Sequence, residues 1–197
     1  MKVLIACEYS GIVRDAFIKR GHDAISCDIL PTESLGPHLH GDLFSFDLSV
    51  YDLIIAHPPC TYVCVSGNRT YANTEKRQHG VDFISRVWEI PVERLCIENP
   101  VGVLNTFLPH FPKPQYIQPY QFGHPEPKKT GLWKRNLPDL IPTNIVEPEY
   151  IIGKKDGKKY SRIHFMAGGL NKEYRRKLRS LTYQGIADAM AEQWGSL

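Results

Sequence analysis

The sequence predicts an α/β domain with a mostly parallel sheet and a small Pro-rich and β-hairpin insertion. Short apolar runs alternate with segments of helical spacing in the first hundred residues, and this alternation is typical of parallel strands joined by crossover helices. A chain of 197 residues is long enough to bury a core without metal or disulfide bonds. We therefore expect a single domain over residues 1–197.

The first half of the chain contains four predicted strands and two predicted helices. Each strand is a short apolar run that ends in polar or Pro-rich sequence: KVLIAC (2–7), HDAISCDI (22–29), YDLIIAH (51–57) and RLCIENP (94–100). Helical spacing predicts helices from Ile12 to Arg20, before Gly21, and from about Thr74 to Trp88. Ligands bind at the carboxyl ends of parallel strands, which here carry Glu8, Asp28, Cys60 and Glu98.

The second half of the chain changes character. Prolines recur from Pro109 to Pro148, which predicts extended segments and turns with no long helix. The segment EYIIGKKDGKKYSRIHF (149–165) predicts a hairpin, because Asp156-Gly157 suits the positive φ angles of a tight turn. Lys172 to Trp194 has helical composition, with a possible break at TYQG (182–185).

Charge and cysteine content limit the class of protein. A formal charge of +3 permits a polyanionic partner but does not require one. Five scattered cysteines without an export signal indicate reduced thiols, so we expect a cytoplasmic protein. No apolar run approaches the ~20 residues of a membrane span. The C-x3-C of CTYVC has no second Cys/His pair at zinc-site spacing, so no metal is expected.

Two prolines, Pro58 and Pro59, directly precede Cys60 in the stretch AHPPCTYVCVSG (56–67). Proline fixes φ and removes an N–H donor, so the loop can present one thiol in one direction, and a thiolate is a strong nucleophile. Burial as a small apolar side chain is the alternative, and composition alone leaves it open. Cys64 is expected to pack behind the loop, and no oxyanion loop supports a hydrolase with His57 as its base.

A series of short motifs runs through the chain in a fixed order: EYSG (8–11), CDI (27–29), GDL (41–43), HPPC (57–60), IENP (97–100), PYQFGHPEPKKT (119–130) and TYQGIADAMAEQW (182–194). This order resembles that of the DNA (cytosine-5) methyltransferases, in a small phage- or prophage-like form. Val13, Pro100, Lys128 and Lys129 depart from the family pattern. The target-recognition region, commonly a domain of its own, is limited here to an insertion at about 136–170.

The resemblance implies a Rossmann-like, S-adenosylmethionine-dependent enzyme that methylates carbon 5 of cytosine in DNA. Cys60 would add to carbon 6 of the ring, and a protonated Glu98 would donate to ring nitrogen 3 and read the exocyclic amine. Asn99 would hold the loop, and Lys128 or Lys129 would take the role of the family's arginine. A plain salt bridge at Glu98 and solvated lysines remain the alternatives.

The cofactor that the resemblance implies is S-adenosylmethionine. Asp28 would bind the ribose hydroxyls, Asp42 the adenine amine and Gly11 the methionine part, with Tyr9 packed on the cofactor. The expected cofactor-binding set is Glu8, Tyr9, Ser10, Gly11, Asp28, Ile29, Asp42, Leu43 and Pro58. Gly11 as a turn glycine and Asp28 as a helix cap are the alternatives.

Two basic segments are candidates for contact with the nucleic-acid backbone. One is the loop at 66–78, with Ser66, Arg69, Lys76 and Arg77, and the other is the hairpin tip, with Lys154, Lys155, Lys158 and Lys159. Lysines that protect a sheet edge are the alternative explanation of the tip. DNA is the expected partner, and the alternatives are an RNA cytosine, a free nucleotide, or a catalytically silent relative that only binds.

Overall fold

We describe the protein from a computed structural model, which covers residues 1–153, 157–162, 171, 174, 177 and 180–197. Its main sheet has seven strands: β1 (Lys2–Ala6), β2 (Asp23–Asp28), β3 (His38–His40), β4 (Leu53–Ala56), β5 (Arg94–Pro100), β6 (Gln115–Ile117) and β7 (Thr130–Arg135). They lie in the order β3-β2-β1-β4-β5-β7-β6, and only β7 runs antiparallel to its neighbours. The predicted mostly parallel α/β fold is confirmed.

Helices cover both faces of this sheet. They are α1 (Ile12–Lys19), α2 (Asn68–Tyr71), α3 (Glu75–Trp88), α4 (Leu104–Phe107) and α5 (Gln184–Gln193), and 3-10 turns lie at Leu43–Ser45, Val65–Gly67 and Pro119–Gln121. Alternate residues of β1 and β4 pack into two separate cores, one with α1 and α5 and the other with α3 and α4. All four residues of β4 are buried, as expected for a strand covered on both faces.

The strand order reverses between β1 and β4, because β2 and β3 lie on one side of β1 and β4 and β5 on the other. This is the doubly wound order with one antiparallel strand, β7, inserted before the edge strand. In such sheets ligands bind in the crevice at the carboxyl ends of the strands, next to the reversal. A ligand site is therefore expected among the residues at the carboxyl ends of β1, β2, β3, β4 and β5.

The predicted elements of the first half match the structure within two residues at each end. The Pro-rich stretch contains β6, a 3-10 turn and β7, and it has no long helix, as expected. The short strand β3 follows a Gly-Pro pair and was not predicted. It forms because His38, Leu39 and His40 pair with the end of β2, a contact that only the folded sheet provides.

The predicted hairpin is present as an antiparallel pair of strands, β8 (Tyr150–Ile152) and β9 (Lys159–Ser161). Gly157 has a φ of 65°, as the predicted turn requires. Residues 154–156 and 163–170 lie outside the described part of the chain. Most of the predicted helical segment before 181 also lies outside it, and α5 begins within the expected break at TYQG.

A fully buried arginine, Arg14 on α1, holds the loop that joins β2 to β3. Its guanidinium donates to the carbonyl oxygens of Leu35, at 3.1 Å, and Pro37, at 3.3 Å. It also donates to the hydroxyls of Ser26, Thr32 and Ser34. Gly11 has a φ of 77° and lies beneath this loop, where a Cβ would overlap Arg14 and Ser34. The packing of the loop therefore requires glycine at position 11.

We expect Arg14→Gln to lower the free energy of unfolding by about 3 kcal/mol, because several buried loop acceptors lose a charged donor. The matched control is Arg20→Gln. Arg20 makes an ion pair with Glu192 at the surface, so its loss should cost less than about 1 kcal/mol. Urea unfolding of both variants measures the difference, and equal losses would contradict the anchoring role of Arg14.

Candidate active site

The Pro-Pro-Cys loop, residues 57–60, leaves β4 beside the end of β5. The two strands are parallel with Ala56 opposite Ile97, so the loop and Glu98 lie at the same edge of the sheet. Asn99 is buried, and its side-chain amide donates to the Pro58 carbonyl oxygen at 2.9 Å. This hydrogen bond fits the loop-holding role predicted for Asn99.

The chain after Cys60 is fixed to the chain after β5. The Val65 amide donates to the Val101 carbonyl at 3.0 Å, and the Val103 amide donates to the Val63 carbonyl at 2.9 Å. A Cβ at Gly102 would overlap the Val63 carbonyl oxygen, so glycine is required for this close approach. Cys64 is buried behind the loop, as its spacing from Cys60 predicts.

The Cys60 side chain is half-buried in the free protein. Its hydrogen bond to Cys64 and its burial raise the pKa of the thiol, and the negative charge of Glu98 raises it further. The positive charge of Lys128 acts in the opposite direction but is outweighed. The surroundings therefore favour the thiol over the thiolate, and a thiolate at this position would require a change in those surroundings.

Glu98 makes a hydrogen bond with a residue that the sequence did not assign to it. Its carboxylate accepts a hydrogen bond from His57 Nδ1 at 3.0 Å, and the two side chains are only 15% and 9% exposed. Burial alone raises the pKa of Glu98, but the hydrogen bond and charge of His57, the charge of Lys128 and a hydrogen bond from Thr130 together bring it below its ordinary value.

The surroundings of Glu98 therefore favour its ionised form in the free protein, whereas the resemblance implies a protonated Glu98. A reaction that needs Glu98 as a hydrogen-bond donor must first deliver a proton to it.

The structure distinguishes between the two candidate lysines. Lys128 donates to the Leu181 carbonyl at 3.3 Å, and its charge acts on both Cys60 and Glu98. The Lys129 ammonium lies 4.2 Å from the centre of the Tyr116 ring. Lys128 is therefore the lysine whose charge acts on the proposed catalytic groups.

Asp28 is the last residue of β2 and Asp42 follows β3, both at the predicted cofactor edge. An oxygen of Asp28 accepts from the Leu30 amide at 2.9 Å, and burial raises the pKa of its carboxyl. Asp42 accepts from the Phe44 amide at 3.0 Å, at the start of the turn that buries Leu43. Each carboxylate thus also shapes its own turn, as the capping alternative predicts.

The two carboxylates face a third strand end. Burial raises the pKa of the Cys7 thiol, directly after β1, and the charges of Asp28 and Asp42 raise it further. Ile29, next to Asp28, is 73% exposed. The edge therefore combines two carboxylates with an open apolar side chain, a combination that suits the hydroxyls and the flat base of a nucleoside.

The carboxylate of Glu8 has a structural role that does not fit the predicted contact with a cofactor. Its oxygens accept from the backbone amides of Val13, at 2.8 Å, and Arg14, at 3.2 Å, and from the Ser10 hydroxyl. Glu8 is buried and caps the first turn of α1, where a negative charge is favourable. Ser10 takes part in the same cap by accepting from the Ile12 amide. The carboxylate of Glu8 is therefore engaged within the protein, and a contact of Glu8 with a cofactor stays a prediction.

The backbone carbonyl and the hydroxyl of Tyr9 also make hydrogen bonds within the protein. The Tyr9 carbonyl accepts from the Glu33 amide at 2.8 Å and the Thr32 hydroxyl at 3.2 Å. Its phenolic oxygen lies 3.3 Å from the Ser180 hydroxyl. The ring is half-buried, and its predicted packing on a cofactor stays a prediction.

The prediction that Arg77 contacts the nucleic-acid backbone is wrong. It is 4% exposed, and its guanidinium donates to the Tyr62 carbonyl at 2.9 Å and the Asn68 side chain at 2.8 Å. It braces the loop instead of facing solvent. Ser66, Arg69, Lys76, Lys158 and Lys159 are exposed, and Lys154 and Lys155 lie outside the described residues.

Sequence reasoning missed three residues of this region: Cys7, His57 and Thr130. The sequence suggests His57 only as a base for Cys60, although its position directly after β4 and before the two prolines places it at the same edge of the sheet. Cys7 has a φ of 57°, a conformation that a non-glycine residue rarely adopts and that often occurs at functional sites. No sequence signal indicates that conformation.

No family model matches the chain, and no curated protein matches it. Among solved structures, the chain is similar to a candidate DNA modification methyltransferase encoded within a prophage of E. coli, at 14% identity and a TM-score of 0.50. The match covers 75% of this chain and 52% of that one, so this chain spans about half the length of the solved structure. At this identity the similarity shows the fold, a mostly parallel seven-stranded sheet with flanking helices.

A further structural finding concerns membranes. Within the part of the chain that the structure describes, the helices are too short and too polar to cross a bilayer.

We expect Arg77→Gln to lower the free energy of unfolding by about 2 kcal/mol, because the loop carbonyl and Asn68 lose a buried charged donor. Arg69→Gln, at an exposed position of the same segment, is the control and should change it by less than about 0.5 kcal/mol. Thermal or urea unfolding measures both. If Arg77→Gln leaves the free energy of unfolding unchanged, Arg77 does not hold the loop, and contact with phosphate becomes a possible role for it again.

Proposed function

We propose that this chain transfers a methyl group from S-adenosylmethionine to carbon 5 of cytosine in DNA, through a covalent adduct with Cys60. The observation that carries the proposal is the position of Cys60, in the loop after β4, beside Glu98 on the adjacent parallel strand β5, close enough that the charge of Glu98 raises the pKa of the thiol. Asn99 and Lys128 contact the same region through Pro58 and Leu181. The motif order and the fold shared with a candidate DNA modification methyltransferase also support it.

The residues at the ends of β1, β2 and β3 fit the cofactor. Asp28 offers a partly buried carboxylate to the ribose hydroxyls, Ile29 offers an exposed apolar side chain to the adenine, and Asp42 lies beside them. Bound there, S-adenosylmethionine would supply an electrophilic methyl group. Gly11 and Leu43 are proposed to shape the cavity through their turns, and Pro58 to separate the cofactor edge from the thiol.

The chemistry requires both Cys60 and Glu98. Carbon 5 of cytosine is too weak a nucleophile to take a methyl group, and addition of a thiolate at carbon 6 converts the ring into an enamine that is strong enough. Electrons then move toward ring nitrogen 3, where a protonated Glu98 donates a hydrogen bond to the developing charge. Loss of the proton from carbon 5 and expulsion of Cys60 regenerate the aromatic ring and the free enzyme.

The exposed Arg69, Lys76, Lys158 and Lys159 support a polyanionic substrate. A base in a duplex must be flipped out of the stack to reach Cys60, which costs a few kcal/mol. The small insertion at about 136–170 offers little surface for reading a sequence, so a single-stranded DNA, an RNA cytosine or a free nucleotide is the second candidate. A silent relative that only binds is the third.

The experiment is incubation with methyl-labelled S-adenosylmethionine and, in parallel, duplex DNA, single-stranded DNA, RNA and cytosine nucleotides. We expect labelled 5-methylcytosine after digestion of DNA. Label in RNA or nucleotide alone would replace DNA as substrate. Absence of label in every arm, with cofactor binding intact, would contradict the enzymatic proposal.

Cys60→Ala should abolish methyl transfer while the fold and the cofactor affinity stay close to wild type, because the thiol takes part in bond formation. DNA containing 5-fluorocytosine should form a covalent complex with wild type only, since fluorine at carbon 5 blocks the elimination step. Cys27→Ala, in the buried part of β2, is the control and should retain both reactions. Full activity of Cys60→Ala would exclude the adduct mechanism.

Asp28→Asn and Asp42→Asn should each weaken cofactor binding by about 1–3 kcal/mol, the usual loss for a hydrogen bond to a charged group. Asp47→Asn is a matched control, because Asp47 also caps a turn through the Ser49 amide but is not placed at a strand end. Calorimetry with S-adenosylmethionine measures all three. Unchanged affinity in both test variants would show that the cofactor edge is misplaced.

A further inference from the structure

Resting on the function proposed above, we propose that His57 is a positioning residue that controls the proton on Glu98. The geometry that carries this inference is a buried pair at the ends of two adjacent strands. His57 directly follows β4, Glu98 lies on β5, and His57 Nδ1 is 3.0 Å from Glu98 Oε2. The side chains are 9% and 15% exposed, so water has little access to either partner.

The resting state and the proposed reaction require opposite forms of Glu98. A carboxylate can only accept hydrogen bonds, so Nδ1 of His57 carries the hydrogen in the pair. The proposed reaction needs Glu98 to donate to ring nitrogen 3 of the base. A proton must therefore reach Glu98 when the base enters, at a position where bulk water has little access.

The described groups that face Glu98 differ in their ability to supply that proton. They are His57 directly after β4, Lys128 before β7, Thr130 at the start of β7, Cys60 from the loop and Cys96 from β5 itself. The Cys60 and Cys96 thiols have raised pKa values, and Lys128 is bound to the Leu181 carbonyl. Histidine is the residue type that ordinarily exchanges a proton near neutral pH, and His57 already holds the hydrogen bond to the carboxylate.

The proton transfer balances within the pair. The N–H bond at Nδ1 of the imidazolium breaks and an O–H bond forms at Oε2, which leaves neutral His57 and a neutral Glu98 carboxyl. Glu98 then donates to ring nitrogen 3 as the bond between Cys60 Sγ and carbon 6 forms. The S–H bond of the partly exposed Cys60 breaks in this step and its proton passes to solvent water, from which the sulfur regains a proton when it is expelled. When Cys60 is expelled and the aromatic ring is restored, the proton returns to Glu98 and from there to Nδ1, and both side chains regain their resting charges.

A second, independent feature of His57 points to a ligand. Its Nε2 atom is buried and has no hydrogen-bond partner among the described residues, although the side chain is about nine-tenths buried. The same holds for the side-chain oxygen of Asn99, next to Glu98. Buried polar atoms are normally paired, so two such atoms around one carboxylate fit a polar ligand such as a nucleobase edge.

The direct test is a titration of the Glu98 carboxyl in the free protein by carbon-13 NMR, assigned from the spectrum of Glu98→Gln. His57→Asn keeps an N–H donor close to the Nδ1 position but cannot ionise. We expect the midpoint of Glu98 to rise in His57→Asn and to rise further in His57→Phe, which also loses the hydrogen bond. His79→Asn, at an exposed position on α3, should leave it unchanged.

The second readout is the pH dependence of methyl transfer. The pair retains its proton to a higher pH than Glu98 alone, so the alkaline limb of the rate profile should move to lower pH in His57→Asn. At pH 8 the rate should fall by about 100-fold, the usual effect of losing a general acid. Cofactor affinity and thermal unfolding should stay close to wild type. A merely structural role of His57 would not predict a shifted pH profile together with unchanged affinity and unchanged unfolding.

The outcomes separate this inference from the function on which it rests. An unchanged Glu98 midpoint in His57→Asn overturns it, and so does a rate profile that superimposes on wild type. A wild-type protein that methylates none of the substrates would contradict the proposed function. The Glu98 titration would still decide whether His57 controls its proton.

Discussion

The parallel pairing of β4 with β5 is the constraint on which the candidate site depends. Because Ala56 lies opposite Ile97, the Pro-Pro-Cys loop and Glu98 lie together at one edge of the sheet. The Asn99 side chain then bonds the Pro58 carbonyl, and two backbone hydrogen bonds fix the chain beyond Cys60 to the chain beyond β5. A shift of this register by one residue would turn Glu98 to the opposite face and separate it from His57.

The electrostatics of the site oppose the charge states that the proposed chemistry needs. The surroundings favour the thiol of Cys60 and the carboxylate of Glu98, and the proposed chemistry needs the reverse of both. Their mutual influence explains this state, because the charge of Glu98 opposes ionisation of the thiol. Neutralising Glu98 when a base binds would remove that opposition, so protonation of the acid and activation of the nucleophile are linked by one change of charge.

The loop between β2 and β3, next to the predicted cofactor residues, is held in place differently from the Pro-Pro-Cys loop. Two histidine rings of β3 contact the carbonyl oxygens of Ile29 and Leu30 at 3.0 Å each, and Arg14 holds the rest of the loop that follows. The loop between β2 and β3 is thus rigid through side-chain contacts, without a helix of its own. This arrangement fixes Asp28 and leaves Ile29 open, which suits a preformed nucleoside site.

The sequence alone determined the strands β1, β2, β4 and β5, the helices α1 and α3, the hairpin, and the meeting of Cys60 with Glu98, since apolar periodicity and strand ends are local signals. Only the tertiary structure decided which polar groups remain available to a ligand. Glu8 caps α1, Arg77 braces a loop, and His57 pairs with Glu98 forty-one residues away. Such partners lie far apart in the chain or depend on burial, and residue type and spacing carry no record of either.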